Sequence, residues 1–298
     1  MDIVVVFNGL GNQMSQYAFF LSKKKYGCKC LCIFDPRSRS RHNGLELRRL
    51  FGIDFSNGAK VWFYTEFLKR INGRIIRRIA KLLGINIIYE PINYNYSDAF
   101  LKQGKGWINY FIGGWHSEKY FKYIREDILR RFSFPVGKEE DTAFLSIVNN
   151  IKEHYDQSVS LHIRRGDYLK SKPGDWYYYG EVATPDYYRK AESYIESKLK
   201  SPIFYVFSDD IEWCKSNLTG NNYVFVDCNN AINSWRDMFL MSKCKHHIIA
   251  NSSFSWWGAW LSEDKDGITI RPERFLANVE TKDFYPESWI VIRRDEII

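Results

Sequence analysis

The sequence contains no apolar run long enough to cross a bilayer. Its apolar opening stretch, residues 3–7, is too short for a membrane span, follows the acidic Asp2 and lacks the basic start of a signal peptide. We therefore expect this stretch to form a buried strand. The six cysteines include no Cys-x-x-Cys pair, which disfavours a zinc site. Since no secretory segment is recognised, the free thiols indicate a reduced, cytoplasmic protein.

Acidic residues are absent from one long window, between Glu66 and Glu90. The cations in this window are interleaved with isoleucines and leucines at near-helical spacing, and they are Lys69, Arg70, Arg74, Arg77, Arg78 and Lys81. This pattern is typical of a basic amphipathic helix, so residues 69–81 are predicted to contact an anionic membrane at its inner face. A solvated helix face explains the pattern equally well. The formal net charge of +8 also fits nucleic acid or a phosphorylated substrate, and charge alone does not choose among these partners.

Internal repeats and low-complexity tracts are also absent, which argues against solenoid and fibrous architectures. The chain has 298 residues, of which 45% are hydrophobic and 26% are charged, and this composition is typical of a globular protein. Its length permits two domains of about 150 residues each.

Apolar, β-rich runs alternate with helical patterns along the chain. The predicted strands cover residues 3–7, 31–34, 158–163, 203–207, 223–226 and 247–250, and the main predicted helices cover residues 13–25, 141–154, 187–199, 211–216, 234–242 and 256–261. This alternation predicts an α/β fold with parallel sheets. One strand-led block begins at Met1 and another near Ser158, with a surface connection at residues 134–141 between them. We predict domains at residues 1–150 and 151–298.

The first candidate site motif directly follows the first predicted strand. Residues 8–13 read Asn-Gly-Leu-Gly-Asn-Gln and precede a helical pattern. Gly9 and Gly11 would let backbone N–H groups approach a ligand, and a helix N-terminus favours negative charge. Asn12 adds a polar group that could orient a hydroxyl. A tight structural turn is the alternative, because the motif is neither a Walker loop nor a complete G-x-G-x-x-G fingerprint.

The second motif follows the predicted strand that ends at residue 163. Residues 162–167 read His-Ile-Arg-Arg-Gly-Asp. Ligands of open α/β sheets bind beyond the carboxyl ends of strands, so these side chains emerge where a site is expected. Arg164 and Arg165 offer permanently charged contacts to phosphate oxygens, and Asp167 could orient an arginine or a ligand hydroxyl. A surface cluster of ion pairs is the less favoured interpretation.

A third group of residues follows the next two predicted strands. Ser208, Asp209 and Asp210 come after one strand and Asp227 after the other. These acids could accept hydrogen bonds from ribose hydroxyls or a guanine edge. Asp209 and Asp210 could instead hold Mg²⁺ or Mn²⁺, and an N-cap for the following helix is a further alternative. The nearby arginine pair favours a metal-free site, because fixed cations can neutralise a departing diphosphate.

The fourth motif, Asn251 to Trp260, follows the predicted strand 247–250. Small hydroxyl residues at the start of a helix offer donors to phosphate, which favours Ser252 and Ser253 as ligand contacts. The adjacent tryptophans are more typical of core packing.

Together these motifs resemble the α-1,2-fucosyltransferases of glycosyltransferase family 11, which share the His-x-Arg-Arg-x-Asp motif with α-1,6- and protein O-fucosyltransferases. The resemblance runs almost end to end, through residues 9–14, 42–47, 114–121, 162–167 and 251–261. Five such segments in the same order are specific. The chain departs from the family pattern at His116, where we expect glutamine.

The resemblance implies a GT-B fold, in which two Rossmann-like domains with parallel sheets face a central cleft. It implies inverting transfer of L-fucose from GDP-β-L-fucose to the 2-hydroxyl of a terminal galactose, on an oligosaccharide or surface glycan, without a metal or other cofactor. Arg164 would contact the β-phosphate, with Asp167 and Asn12 as the other catalytic residues. The resemblance also implies donor contacts at Gly9, Gly11, His162, Arg165, Ser208, Asp209, Asp227, Asn251, Ser252, Ser253 and Phe254, and acceptor-side contacts at Asn12, His42, Asn43 and His116.

Two rival functions remain open at this stage. One is a metal-dependent transferase of another nucleotide sugar, with the ion at Asp209 and Asp210. The other is a basic nucleic-acid-binding protein that uses its aromatic residues, 17% of the chain, for stacking. The aromatics do not cluster with the arginines in a binding motif, so we expect no nucleic-acid partner. No general base can be assigned, because an arginine contact would weaken Asp167 in that role.

Overall fold

The computed structural model describes residues 1–35, 43–55, 58–71, 73–137, 141–264 and 266–293. The chain divides into two compact units, Met1–Pro135 and Val136–Ile298. Each unit contains one parallel sheet flanked by helices. The predicted α/β class, with two Rossmann-like units as in the GT-B type, is therefore confirmed.

The first unit is built on a four-stranded sheet in the order β2-β1-β4-β3. Its strands and helices are β1 (Asp2–Val6), α1 (Leu10–Lys25), β2 (Cys30–Phe34), α2 (Glu46–Phe51), α3 (Ala59–Arg70), α4 (Arg74–Leu82), β3 (Ile85–Tyr89), β4 (Ile108–Ile112) and α5 (Arg125–Arg131), with 3₁₀ turns at Asp98–Phe100, Glu118–Tyr120 and Lys122–Ile124. Strand β1 is buried along its whole length because its valines and isoleucine pack on both faces of the sheet. The predicted buried first strand is thus confirmed.

A buried ion pair lies near the amino end of β1. Lys23 Nζ is 2.8 Å from Asp2 Oδ2, and both side chains are 0% exposed. Lys23 also donates to the carbonyls of Phe100 and Lys102, while Asp2 accepts from Asn109 on β4. The pair therefore ties β1, α1 and β4 together with its hydrogen bonds satisfied. Removing one partner would leave a buried charge uncompensated, at a cost of about 3–5 kcal/mol.

The second unit is built on a six-stranded sheet in the order β10-β9-β8-β5-β6-β7. Its elements are α6 (Thr142–Glu153), β5 (Ser158–Ile163), α7 (Pro185–Lys198), β6 (Ile203–Ser208), α8 (Ile211–Asn217), β7 (Tyr223–Phe225), α9 (Trp235–Lys243), β8 (His246–Ile248), α10 (Ser253–Trp260), β9 (Thr269–Pro272) and β10 (Ile290–Ile292), with 3₁₀ turns at Tyr155–Gln157, Tyr168–Lys170 and Ala231–Asn233. Side chains of Asp141, Thr184, Asp210 and Ser252 cap helices α6, α7, α8 and α10.

The division between the units falls after Pro135, earlier than the predicted boundary after residue 150. Helix α6 accounts for the difference. Its Phe144 and Ile151 are buried in one cluster with Tyr205 and Phe207 of β6, so the helix packs on the second sheet. Residues 136–150 therefore belong to the second unit.

The basic window at residues 69–81 is also organised differently from the single helix that its spacing predicts. It contains the end of α3 and nearly all of α4, with Gly73 at a positive φ of 91° between them. That backbone conformation suits glycine and interrupts the helix. Among the residues that the structure describes, no helix combines the length and apolar character that crossing a membrane requires.

Candidate functional site

Three of the predicted motifs meet at one edge of the second sheet. Strands β8, β5 and β6 are neighbours and run parallel, so their carboxyl ends lie on the same side. Residues 162–167 follow β5, residues 208–210 follow β6 and residues 251–254 follow β8. The sheet order thus brings together the arginines, the acids and the hydroxyl residues that the sequence places far apart.

Arg164 forms the centre of the charge cluster at this edge. Its Nη2 is 2.9 Å from Asp167 Oδ1, and its Nη1 is 3.2 Å from Asp209 Oδ2. The Arg164 side chain is 34% exposed and that of Asp167 is 65% exposed. A pair this accessible to water is weak, so the guanidinium can exchange a carboxylate for the oxygens of an incoming diphosphate.

Arg165 is held more firmly than Arg164. Its Nε donates to Asp210 Oδ2 at 3.1 Å, and its guanidinium carbon lies 3.6 Å from the centre of the Trp213 ring. Asp210 in turn accepts from the backbone N–H of Trp213 as the cap of α8. A cation stacked on an aromatic face and paired with a carboxylate has little freedom to move. Arg165 therefore braces the loop that presents Arg164.

Asp209 contacts both of the adjacent arginines. One of its carboxylate oxygens accepts from the backbone N–H of Arg165 at 2.9 Å, and the other pairs with Arg164. A Cβ at Gly166 would lie 2.5 Å from Asp209 Oδ2, so only glycine fits beside this carboxylate. Both oxygens are thus engaged within the protein, and Asp209 positions Arg164.

The two acids considered as metal ligands therefore face arginines. Within the described ranges, no group of three or more His, Cys, Asp or Glu side chains gathers closely enough to hold a metal ion. Metal-free catalysis stays a prediction, which the experiments below address.

His162 lies beneath the charge cluster as a neutral, buried side chain. Its Nδ1 is 2.8 Å from Ser255 Oγ, and the residue is only 6% exposed. Burial, and next the positive charge of Arg164, lower the pKa of His162 to about 3. The imidazole is therefore uncharged at neutral pH, and its hydrogen bond links β5 to helix α10.

The start of α10 brings hydroxyl groups to the same edge. Ser252 Oγ accepts from the backbone N–H of Phe254 at 3.3 Å, which caps the helix. Ser253 and Phe254 are partly exposed, and the Phe254 ring lies 6.0 Å from His162. Serines at a helix N-terminus, where N–H groups converge, suit an anionic ligand.

Three predicted donor contacts are engaged with other groups of the protein. Asn251 is 1% exposed, and its amide donates to the carbonyls of Tyr179 and Phe275, so it anchors neighbouring loops. Asp227 pairs with Lys215 at 2.7 Å beyond the carboxyl end of β7. Ser208 Oγ accepts from the backbone N–H of Asp210 and so shapes the turn after β6.

Two aromatic residues at this edge were missed by sequence reasoning. Tyr168 stacks on Tyr179 with ring centres 4.7 Å apart, and Arg164 lies 5.6 Å from the Tyr168 ring. Trp213 supports Arg165. Helical spacing could have revealed Trp213, because it stands three residues after Asp210 and hence on the same helix face.

A surface cavity of about 260 Å³ in the second unit has no connection with these motifs. It is lined by residues such as Glu181, Asp186, Glu273 and Arg274. None of the predicted donor residues lines it, so we assign the site to the Arg164 edge.

The carboxyl edge of the first sheet holds a second, uncharged cluster. His116 Nε2 is 3.1 Å from Asn12 Oδ1, and His116 Nδ1 is 2.9 Å from Ser15 Oγ. His116 is 2% exposed, and burial lowers its pKa to about 3. The tautomer that satisfies both contacts donates from Nε2 to Asn12 and accepts at Nδ1. His116 therefore orients the amide of Asn12.

Gln13 joins residues 8–13 to residues 42–47. Its amide donates to the carbonyls of Asn8 and Gly44, at 2.7 and 2.8 Å, and its Oε1 accepts from the backbone N–H of Glu46. Asn43 donates to Glu46 Oε1 at 3.3 Å. His42, predicted on the acceptor side, lies outside the residues that the structure describes.

Gly9 and Gly11 begin helix α1. Gly9 is the N-cap residue, with φ of −78°, and its carbonyl accepts the first helical hydrogen bond from Gln13. Gly11 lies buried in the first turn, and its carbonyl oxygen is 3.2 Å from Ser15 Oγ. The positive φ in this motif belongs to Asn8, at 64°.

Glu90, after β3, is a further residue at this edge that the sequence did not reveal. Its Oε2 accepts from the backbone N–H groups of Gly114 and Trp115 at 2.7 Å each, in the loop that leads to His116. Its Oε1 is buried with no hydrogen-bond partner in the described part of the chain. Burial raises the pKa of Glu90 to about 8. No local pattern marks a single glutamate after a strand, so only the fold shows this role.

The protein has two parallel-sheet units, and one of them presents arginines at its carboxyl edge. This arrangement is typical of the α/β proteins that hold an anionic ligand at strand ends. Comparison with known proteins narrows this class. A family model described as "Glycosyl transferase family 11" matches residues 88–293. The chain belongs to glycosyl transferase family 11 and is a glycosyltransferase.

Two relatives found by sequence agree with this family. "Alpha-1,2-colitosyltransferase" of Escherichia coli is 34% identical, over 99% of this chain and 100% of the relative. "Galactoside alpha-(1,2)-fucosyltransferase 2" of Rattus norvegicus is 27% identical, over 87% of this chain and 81% of the relative. Among solved structures, fucosyltransferase NodZ from Bradyrhizobium is 12% identical with a TM-score of 0.45, over 86% of this chain and 91% of that chain.

Proposed function

We propose that this chain transfers L-fucose from GDP-β-L-fucose to the 2-hydroxyl of a terminal galactose, with inversion at the anomeric carbon and without a metal. The observation that carries the proposal is Arg164, a partly exposed cation positioned by Asp209 at the carboxyl edge of the second sheet. The relatives named for α-1,2 transfer support the linkage.

The donor diphosphate binds at this charged edge. Arg164 leaves Asp167 and contacts the β-phosphate, while Asp209 keeps the guanidinium in place. Ser252, Ser253 and Phe254 at the start of α10 hold further parts of GDP, together with Ser208 and Asp227. His162 and Arg165 stabilise the loop that carries Arg164. Since negative charge builds on the diphosphate as the sugar departs, a fixed cation there supplies the largest catalytic effect.

The acceptor binds at the uncharged edge of the first sheet. Asn12, oriented by His116, accepts or donates a hydrogen bond at the attacking hydroxyl. We assign Asp167 to the donor edge, where its Oδ1 is 2.9 Å from Arg164, and not to the role of general base. The acceptor proton therefore leaves late, to the diphosphate or to water.

A second donor deserves the same test. The E. coli relative that aligns over 99% of this chain is named for colitose, a sugar that lacks the 3-hydroxyl of fucose. A site that hydrogen-bonds this hydroxyl would reject the deoxy sugar strongly, whereas an apolar pocket would accept it. GDP-colitose is therefore the alternative donor.

The decisive experiment offers one terminal-galactose acceptor array to the enzyme with GDP-fucose, GDP-colitose, GDP-mannose or UDP-galactose, with and without EDTA. We expect transfer from GDP-fucose in both conditions, and an α-1,2 linkage by NMR of the product. A preference of tenfold or more for GDP-colitose would show that colitose, and not fucose, is the sugar transferred.

Thermal unfolding provides a matched measurement of nucleotide binding. GDP should raise the melting temperature more than UDP or ADP does, whether or not EDTA is present. Preference for UDP, or stabilisation that EDTA abolishes, would favour the metal-dependent transferase with its ion at Asp209 and Asp210.

A further inference from the structure

Helix α4 turns its apolar side chains to solvent. Ile75 is 73% exposed, Ile79 is 52% exposed and Leu82 is 87% exposed, and of the whole helix Ala80 alone is buried. A surface helix of a globular protein normally directs such residues into the core. Here the apolar side faces outward, which calls for a partner.

Cations occupy a separate side of the same helix. At 100° per residue, Ile75, Ile79 and Leu82 fall within one sector of about 60°, and Arg74, Arg78 and Lys81 gather on another. Arg77 extends this second side and lies 5.9 Å from the Tyr89 ring. The helix is thus amphipathic in solution with both of its sides accessible.

The apolar area continues beyond the end of α4. Leu83 is 67% exposed, and the next residue, Gly84, packs against Trp107, which is itself 83% exposed. We call the combined area the basic–apolar surface; it consists of Arg74, Ile75, Arg77, Arg78, Ile79, Lys81, Leu82, Leu83 and Trp107. Aliphatic side chains, an exposed tryptophan and cations together are the pattern of a helix at a lipid interface.

We propose that the basic–apolar surface docks the first unit onto an anionic phospholipid bilayer. The isoleucines and leucines enter the boundary of the acyl chains, and the arginines and lysine bind lipid phosphates. A nucleic acid would satisfy the cations but would leave the exposed aliphatic side chains in water. A second copy of this chain would bring like charges together. A bilayer satisfies both sides of the helix.

This docking keeps the candidate acceptor edge clear of lipid. Leu83 and Trp107 precede β3 and β4, whereas Glu90 and His116 follow the carboxyl ends of these strands. Five strand residues at 3.3 Å each separate the two edges by about 16 Å. The bilayer therefore contacts one edge of the first sheet and leaves the other accessible to glycan.

Co-sedimentation of the full chain with vesicles tests the proposal. Vesicles of phosphatidylglycerol and phosphatidylcholine should bind the wild type, and pure phosphatidylcholine should bind it much more weakly. Arg77→Glu with Arg78→Glu should lower the partition coefficient about tenfold or more, since each cation near an anionic surface contributes substantially. Ile79→Ser with Leu82→Ser should lower it to a similar degree through lost apolar burial.

Matched variants in the second unit control for net charge and hydrophobicity. Lys198→Glu with Lys200→Glu makes the same charge change at exposed positions, and Ile232→Ser changes an isoleucine that is 54% exposed. Both controls should bind vesicles as the wild type does, and far-ultraviolet circular dichroism should match for all variants.

Two results would overturn the proposal. One is vesicle binding that neither α4 variant weakens. The other is binding that the charge reversal abolishes but the serine pair leaves intact, with single-stranded DNA competing as well as anionic vesicles do; this result would assign the surface to a polyanion.

Discussion

The carboxyl edges of the two sheets share a plan but differ in charge. Each edge has a buried, neutral histidine whose Nδ1 contacts a serine hydroxyl, at 2.9 Å for His116 and 2.8 Å for His162. Around His162 the neighbours are arginines and aspartates, whereas His116 contacts the amide of Asn12. Each edge thus holds a neutral histidine, and we expect the side chains around it to decide whether an anion or a neutral hydroxyl binds there.

The largest effect on activity should come from removing Arg164, the accessible cation at the charged edge. Arg164→Ala should lower kcat/KM for the donor about 10²-fold or more, by analogy with the loss of one oxyanion-stabilising group. Steady-state kinetics at saturating acceptor would measure it. The kcat/KM of Arg164→Lys should lie between the values of the wild type and Arg164→Ala, since lysine keeps the charge but loses the bidentate contact.

The control for Arg164 is Arg189→Ala, an exposed arginine of the second unit that pairs with Asp186. It should leave the donor kinetics unchanged. If Arg164→Ala stayed within threefold of the wild type, the diphosphate would have to bind elsewhere.

Acid should weaken both edges through their histidines. Each pKa is lowered from 6.5 to about 3 by burial, so the unfolded chain takes up protons first as the pH falls. The stability contribution is therefore complete above pH 6.5 and decreases toward pH 3, by about 2 kcal/mol per histidine between pH 6.5 and pH 5. His116→Gln and His162→Gln should each flatten the fall in melting temperature over this range.

Glu90 acts in the opposite direction. Its pKa is raised to about 8, so its effect on stability is a loss as the pH rises from 4.5 toward 8. The pH dependence of the wild type alone therefore combines both effects. The test is the difference in melting temperature between each histidine variant and the wild type at the same pH. Equal slopes for wild type and both histidine variants would mean that these imidazoles are not held neutral.

The smallest expected effect concerns the uncharged edge. His116→Ala removes the hydrogen bond that orients Asn12 and should lower kcat/KM for the acceptor about tenfold, the equivalent of one hydrogen bond. His116→Gln, which places the expected family residue here, should restore most of this loss. GDP affinity, measured by calorimetry, should be the same in all three proteins; a parallel loss of GDP binding would contradict the separation of the two edges.

Strands β5, β6 and β7 of the second unit could be predicted from the sequence, because they are mainly apolar and β-rich, whereas β9 and β10 were not predicted. Strand β5 has the predicted bounds, and β6 differs by one residue. Strands β3 and β4 were missed, since Asn86 and Asn109 interrupt their apolar character. The structure shows these amides hydrogen-bonded to each other at 3.0 Å across the two strands. A polar pair that is satisfied only in the folded state leaves no local signal.

The grouping of the candidate site residues could also be predicted in part, whereas their roles stay predictions. Motifs at strand ends identified Arg164, Arg165 and Ser252, because polar residues that follow a buried strand share an edge of the sheet. Sequence reasoning could not separate contacts with a ligand from contacts within the protein. Asn251, for example, is buried against loop carbonyls that come from distant parts of the chain.

The buried pair of Lys23 and Asp2 gives the two units different responses to ionic strength. Both side chains are 0% exposed, so mobile ions cannot come between them, whereas Arg164 and Asp167 are 34% and 65% exposed. Dissolved salt screens exposed charges over about 8 Å at physiological concentration and affects buried ones far less. A rise in salt concentration therefore weakens the ion pairs of Arg164 with its carboxylates and with a phosphate. The Lys23–Asp2 pair of the first unit is affected far less.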